Sequence, residues 1–285
     1  MLLKIIIVIA CVILVYIIWQ WQELKRFART DYEIKSGKVQ REYKAAVLAD
    51  LHGFQYGKDN VRLLDAIRSG QPDLILIPGD MVVSRKSDTY GTALKILEEL
   101  CRIAPVYYSY GNHESRARIR KSEYQEKFFA FEKKLKELGI HVLHNETEAF
   151  GELAVCGLEI PLSCYKKGVD VPLPQDYLEK TLPEQTEDTF QVLLAHNPRY
   201  AKEYADWGAD LTLCGHNHGG LIRIPGIGSL ISPQFQWFPK YDAGSFDFDG
   251  KKVIVSRGLG THTFHIRIFN RAELAFVVIK PQDIA

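Results

Sequence analysis

Leu211-Thr212-Leu213-Cys214-Gly215-His216-Asn217-His218-Gly219-Gly220 is the stretch on which the reading of this chain turns. Four strand-prone residues end at a glycine, and two imidazoles spaced by one residue follow before two more glycines. A short apolar run bounded by turn residues reads as a buried strand. Only nine histidines occur in 285 residues, so a His-x-His beside glycines is not cheap by chance. Working outward, the pattern recurs four times. Lys44 to Ala49 leads to Asp50-Leu51-His52, Leu74 to Ile77 to Pro78-Gly79-Asp80, Val106 to Tyr110 to Gly111-Asn112-His113-Glu114, and Val192 to Ala195 to His196-Asn197-Pro198. In open α/β sheets ligands gather at the carboxyl ends of strands, so neighbouring strands would carry these side chains to one rim.

Asp50, His52, Asp80, Asn112, His196, His216 and His218 form a coherent donor set. Imidazole nitrogen, carboxylate and amide oxygen suit Mn, Fe or Zn. Seven donors are too many for one ion and fit two that share a bridging carboxylate, the arrangement that clamps attacking and leaving oxygens in phosphoryl displacement. Gly79, Gly111 and Gly215 permit close backbone approach. Taken singly, Asp50 reads as a turn or helix cap and Asn112 as a left-handed turn residue; joint occurrence carries the argument. His141, His144, His262 and His265 lie outside these contexts and read as structural or surface residues.

Helical patterns at Asn60 to Arg68, Thr92 to Cys101, Glu123 to Leu138 and Arg199 to Ala205 alternate with the strands, as βα units do. After His218, glycines and aromatics recur among short runs such as Lys252 to Ser256 and His265 to Phe269, which predicts an antiparallel second half. The expected fold is α/β: a four-layer αββα sandwich of two mixed β-sheets flanked by helices, with an N-terminal transmembrane helix.

Leu2 to Trp21 is apolar except for Lys4 and Gln20, and at helical rise spans roughly 30 Å, one hydrocarbon core. No small-x-small cleavage site follows, which favours a retained anchor over a signal peptide. The domain scheme is therefore an anchor at 1–21, a polar linker at 22–42 and a folded domain at 43–285. The anchor predicts a single-pass protein of the bacterial cell membrane. Lys25, Arg26, Arg29, Lys35 and Lys38 place the domain in the cytoplasm by the positive-inside rule, but short N-terminal segments also insert the other way, so the membrane face stays open. Net charge is +1, which advertises no nucleic-acid partner, and no specific protein partner is implied. Five cysteines without a C-x-x-C pair exclude a disulfide framework or a thiolate zinc site.

These residues resemble the calcineurin-like metallophosphoesterases, through Asp50-x-His52, Gly79-Asp80, Gly111-Asn112-His113-Glu114, His196 and Gly215-His216-Asn217-His218, over about residues 43 to 275. The tail Arg257-Gly258-Leu259-Gly260, Arg267 and Arg271-Ala272-Glu273 is similar to the membrane-associated bacterial YkuE/YaeI-type branch, with Ala272 for a usual Pro and Leu221 for a frequent Gln. The resemblance implies a binuclear metal-dependent phosphoesterase with manganese or a similar pair. Asp50, His52 and His218 would hold one ion, Asn112, His196 and His216 the other, and Asp80 would bridge. A metal-bound hydroxide would be the nucleophile, His113 would be catalytic at the leaving oxygen, and Glu114 would orient His113.

Arg116, Arg118, Arg120 and Lys121 offer a grip for further phosphates or an anionic headgroup, or form a solvated loop. Phe235-Gln236-Trp237-Phe238-Pro239-Lys240-Tyr241 would seat a lipid chain, touch the bilayer or pack in the core. Three readings follow: a phosphodiesterase or pyrophosphatase acting on a lipid-linked or nucleotide-lipid substrate such as UDP-2,3-diacylglucosamine; a broad phosphomonoesterase; and a non-catalytic membrane-bound scaffold, against which the intact ligand set speaks. Gly226-x-Gly228 and Gly258-x-Gly260 precede no helix and are not nucleotide fingerprints.

Overall fold

The computed structural model describes residues 1–86, 88–119, 123–261 and 265–282, so Arg120, Lys121 and His262 lie outside the described residues. One six-stranded sheet has the order β1-β14-β2-β3-β4-β5, from Phe27–Ser36 (β1), Ala272–Pro281 (β14), Tyr43–Val47 (β2), Leu74–Ile77 (β3), Val106–Ser109 (β4) and His141–Leu143 (β5). The other has the order β12-β13-β9-β8-β7-β6, from Gly244–Phe248, Lys251–Val255, Leu211–Cys214, Phe190–Ala195, Leu153–Leu158 and Thr147–Phe150. Ile222–Ile224 (β10) and Gly228–Ile231 (β11) form a separate hairpin. Strands β2 to β5 run parallel, as do β7, β8, β9 and β13. The five strands read from the sequence before His218 are present, with ends shifted by at most two residues.

The period-two alternation of these strands assembles the layers. Ala45 and Val47, Leu74 and Leu76, Val192 and Leu194, and Leu211 and Leu213 meet between the sheets. Ala46, Ile75, Ile77 and Tyr108 point outward to helices α2 (Val61–Gly70), α3 (Asp88–Cys101) and α5 (Glu123–Glu137). On the far side Leu193, Ala195, Cys214 and Val255 pack on α6 (Tyr177–Thr181) and α7 (Ala201–Trp207). The result is the four-layer sandwich, with strands covered on both faces, as parallel strands require.

Two expectations fail. The segment 22–42 is not a linker: α1 runs from Leu2 to Leu24, and β1 pairs with β14 over ten residues in parallel. Within this segment Ile34 and Val39 are buried in the inter-sheet core. Arg29, Asp31, Glu33 and Lys35 alternate outward, which is how an edge strand resists further pairing; those charges hide the strand from a hydrophobicity reading. The second half is also not simply antiparallel. Strand β13 joins β9 in parallel, β14 joins β1 in parallel and β2 antiparallel, and among the described residues 265–269 makes one isolated bridge, Ile268 to Ile222. Strand direction there is chosen by which edge the returning chain finds, and that is non-local.

Candidate metal centre

The donors come from five strand ends at the seam of the two sheets. Asp50 and His52 follow β2, Asp80 follows β3, and Asn112 and His113 open α4 (Asn112–Ile119) after β4; His196 follows β8, and His216 and His218 follow β9. Because β2-β3-β4 are adjacent and parallel, as are β8-β9, each set of carboxyl ends emerges on one edge. All eight side chains are buried. Asp50, His52, Asp80, His216 and His218 hold positive φ between 50° and 69°, a conformation that costs non-glycine residues energy and concentrates at functional sites. A Cβ on Gly215 would meet Asp50 Oδ2 at 2.5 Å, and one on Gly111 would collide with the Asp80 carboxylate.

Possible ligand atoms gather in three overlapping groups, each within 4.8 Å: Asp50, His52 and His218 on one side, Asp80, His196 and His216 on the other, and His52, Asp80 and His113 across the two. Asp80 lies between them, with Oδ2 3.1 Å from His196 Nε2 and 3.9 Å from His52 Nε2. The Asn112 amide stands 2.8 Å from His216 Nδ1.

The hydrogen bonds behind the imidazoles show what the centre is built for. His196 Nδ1 donates to Pro78 O at 3.0 Å, His218 Nδ1 to Gly260 O at 3.0 Å and, at a longer 3.4 Å, His52 Nδ1 to Val82 O. A carbonyl only accepts, so each Nδ1 carries a proton, and each ring when neutral turns its Nε2 lone pair inward. Those lone pairs face carboxylate oxygens and one another: His52 and His218 Nε2 are 3.3 Å apart, and Asp50 Oδ1 lies 3.4 Å from His218 Nε2 and 3.6 Å from His196 Nε2. Acceptors packed against acceptors out of water call for cations between them.

Proton affinities report the same imbalance. Burial drives Asp50 up to about 7, and the charge of Asp80 adds to this against the pull of His196. Asp80 is buried too, yet the charges of His196, His113 and His52 hold it well below the usual carboxylate range. Burial lowers His196, but Asp80 and Asp50 outweigh it and raise the ring to about 9. Two buried carboxylates therefore compete for scarce positive charge, which divalent ions would supply.

His113 is held differently. Its Nδ1 accepts from Ser84 N–H at 3.0 Å, which leaves the proton on Nε2. Burial lowers its pKa, partly offset by Asp80 and reinforced by Arg116 and His196. Glu114 does not orient it. The Glu114 carboxylate accepts from the N–H groups of Asp80 (3.0 Å), Met81 (2.9 Å), Val82 (3.3 Å) and Gly111 (3.1 Å) and from Tyr108 OH (2.6 Å). It thus staples two ligand-bearing turns together, a role set by long-range contacts rather than by its place after His113.

Arg116 lines the cleft over Asp80, His113 and His216, together with Lys167 and Gln234. Arg118, two residues along α4, is turned away and ion-paired with Glu159 at 2.7 Å. Positions two apart on a helix do not share a face, so of the two arginines expected at the site only Arg116 lines the cleft. Sequence reading missed Gln234, whose amide contacts His216 Nε2, because no spacing connects that loop to the ligand motifs. The tail glycines also acquire a use: a Cβ on Gly258 would press on Asp50, and Arg267 donates to Gly258 O at 3.0 Å and Gly260 O at 2.9 Å.

Fold and site together define a metal-dependent phosphoester hydrolase. Residues 43–220 match the calcineurin-like phosphoesterase family, and the chain belongs to it. Phosphodiesterase YaeI of Escherichia coli (strain K12) is 30% identical over 244 residues, covering 82% of this chain and 81% of that protein. The uncharacterized metallophosphoesterase YkuE of Bacillus subtilis (strain 168) is 26% identical over 259 residues, with 88% and 85% coverage. A transmembrane protein with metallophosphoesterase domain from Danio rerio is 27% identical over 253 residues, covering 83% of this chain and 53% of that protein.

Proposed function

We propose that the chain is a phosphodiesterase or pyrophosphatase working with two divalent cations, of Mn, Fe or Zn type, on a lipid-linked substrate beside a membrane that α1 crosses. The carrying observation is the set of backbone carbonyls that fix the proton on Nδ1 of His52, His196 and His218, so that their Nε2 lone pairs converge with Asp50 and Asp80. Asp50, His52 and His218 would hold one cation, Asn112, His196 and His216 the other, and Asp80 both. Bound there, the cations would supply Lewis acidity and lower the pKa of water. His113 Nε2–H would donate to the leaving oxygen, and Arg116 would hold a phosphate oxygen in the cleft.

Support for the diester reading comes from the YaeI relative's name and from a groove lined by chain neighbours of the cleft residues, Gly168 beside Lys167, Asn217 beside His216 and Phe235 beside Gln234. It has a volume of 490 Å³ and is lined by Arg199, Lys240, Phe235 and Trp237 among others, room for a group beyond the reacting phosphate. Support for the membrane span is α1 itself, 23 residues long, whose most apolar 18-residue window has mean hydropathy 3.0 and no buried part.

The test uses the full chain in detergent with Mn, comparing bis-p-nitrophenyl phosphate with p-nitrophenyl phosphate. Diester turnover should dominate, with two metal equivalents bound. Asp80→Asn should lose metal and activity together; His113→Ala should keep both metal equivalents and lose about 10²–10⁴-fold in kcat. Monoester preference would instead support the phosphomonoesterase reading, and absence of metal uptake by the parent protein would leave the scaffold.

A further inference from the structure

Among the described residues, eleven large hydrophobic side chains stand exposed beyond the end of α1, and seven of them fall between residues 224 and 269. Trp237 is 67% exposed, Ile227 69% and Phe269 65%. Soluble surfaces scatter such residues singly; a cluster of them marks a contact.

The cluster is continuous. Trp237 bridges to Ile231, and Phe238 N donates to Leu230 O at 3.0 Å, so the aromatic loop lies along β11. On the other edge of the hairpin Arg223 N donates to Ile268 O at 3.0 Å, which lays 265–269 along β10. Phe269 and Ile227 line one shallow depression, and the Phe269 ring meets Trp19 of α1 at 6.3 Å. The surface therefore begins at the helix and crosses the hairpin to the loop.

The helix is tied to this surface. Gln20 and the backbone of Arg267 exchange two hydrogen bonds, at 3.0 and 3.1 Å. Glu23 takes Arg271 in a two-point ion pair at 2.7 and 3.0 Å. Trp19 stands at the end of the apolar run, where amphipathic rings occupy the bilayer boundary. Phe269, against it, shares its depth. Lysines accompany the aromatics, with Lys167 5.1 Å from the Phe235 ring and Lys240 5.0 Å from that of Tyr241, the pairing that suits an interface with anionic headgroups. The same loop reaches the metal centre, since Pro233 and Gln234 line its cleft.

We propose that the β10–β11 hairpin, the 232–241 loop and residues 265–269 form a platform embedded in the phospholipid surface beside α1, seating the mouth of the metal cleft against the bilayer. A phosphate ester carried on a lipid then reaches the site without leaving the membrane. The inference rests on the membrane-spanning reading of α1 and not on hydrolysis.

The test reconstitutes the full chain in phosphatidylcholine–phosphatidylglycerol vesicles with or without brominated acyl chains. The Trp237 emission, taken as the difference between the native chain and Trp237→Phe, should be at least halved by bromine. Emission of Trp237 equal in both vesicles overturns the platform, as does its shielding by a concentration-dependent dimer in detergent without quenching in vesicles. In parallel, the Ile224→Ser, Ile227→Ser, Phe269→Ser triple variant, whose positions line the depression beside the helix rather than the substrate groove, should keep hydrolysis of soluble bis-p-nitrophenyl phosphate and lose most hydrolysis of a lipid phosphodiester embedded in vesicles; equal retention of both overturns it. Quenching without any hydrolysis would sink the hydrolase reading and leave the platform standing.

Discussion

Replacing Glu114 separates a structural staple from a catalytic orienter. Its carboxylate takes five donors, four of them backbone N–H groups in the turns that present Asp80 and Asn112. Glu114→Ala removes every acceptor at a buried position. At about 1–3 kcal/mol for each donor left unsatisfied, with two or three left dry, the loss is about 3–6 kcal/mol. A domain of this size has about 5–15 kcal/mol in all and loses about 2–4 °C of Tm per kcal/mol, so the melt should fall by about 10 °C or more. Glu114→Gln keeps one oxygen but turns an amide N–H₂ toward donors, and should fall between the two. The assay is differential scanning calorimetry of the three proteins with chelator present, followed by Mn titration. Metal affinity should weaken in the same order, because the turns bearing Asp80 and Asn112 are no longer locked. A Glu114→Ala protein that melts within about 2 °C of the parent and differs only in the pH profile of kcat would refute this reasoning and return Glu114 to His113.

Further outcomes follow from the edge strand and from Glu159. Starting the chain at Arg41 removes β1 and bares the ten-residue edge of β14, along with the Tyr32 OH to Glu273 bond of 3.0 Å. That protein should self-associate in size-exclusion chromatography, whereas one starting at Lys25 should not. Burial raises Glu159, but hydrogen bonds from His144 and Ser115 and the Arg118 charge override it, holding the carboxyl down at about 2 against its usual 4.5. A depressed acid stabilises the fold fully above the unfolded value and loses that contribution as pH falls through the folded one. The unfolding free energy of the parent from urea titration should therefore exceed that of Glu159→Gln by about 3 kcal/mol near neutrality, and the gap should close between about pH 4.5 and 2. A gap unchanged across that range would refute the assignment.

The residues themselves settled the main strands, the αββα class and the convergence of Asp50, His52, Asp80, Asn112, His113, His196, His216 and His218. That information is local: a short apolar run and then a donor, repeated at five strand ends, with a glycine just before the donor at three of them. What lay beyond reach was whatever depends on which distant segment arrives alongside. Edge strand β1 is charged on its outer face and finds its partner some 240 residues away in β14. Glu114 serves the turn after β3 rather than its neighbour, Arg118 turns to Glu159, and Gln234 comes to His216 from a loop no motif marks. Backbone periodicity is written along the chain, whereas hydrogen-bond partners and strand direction are selected only when the two sheets close on their shared core, and tertiary structure alone records that selection.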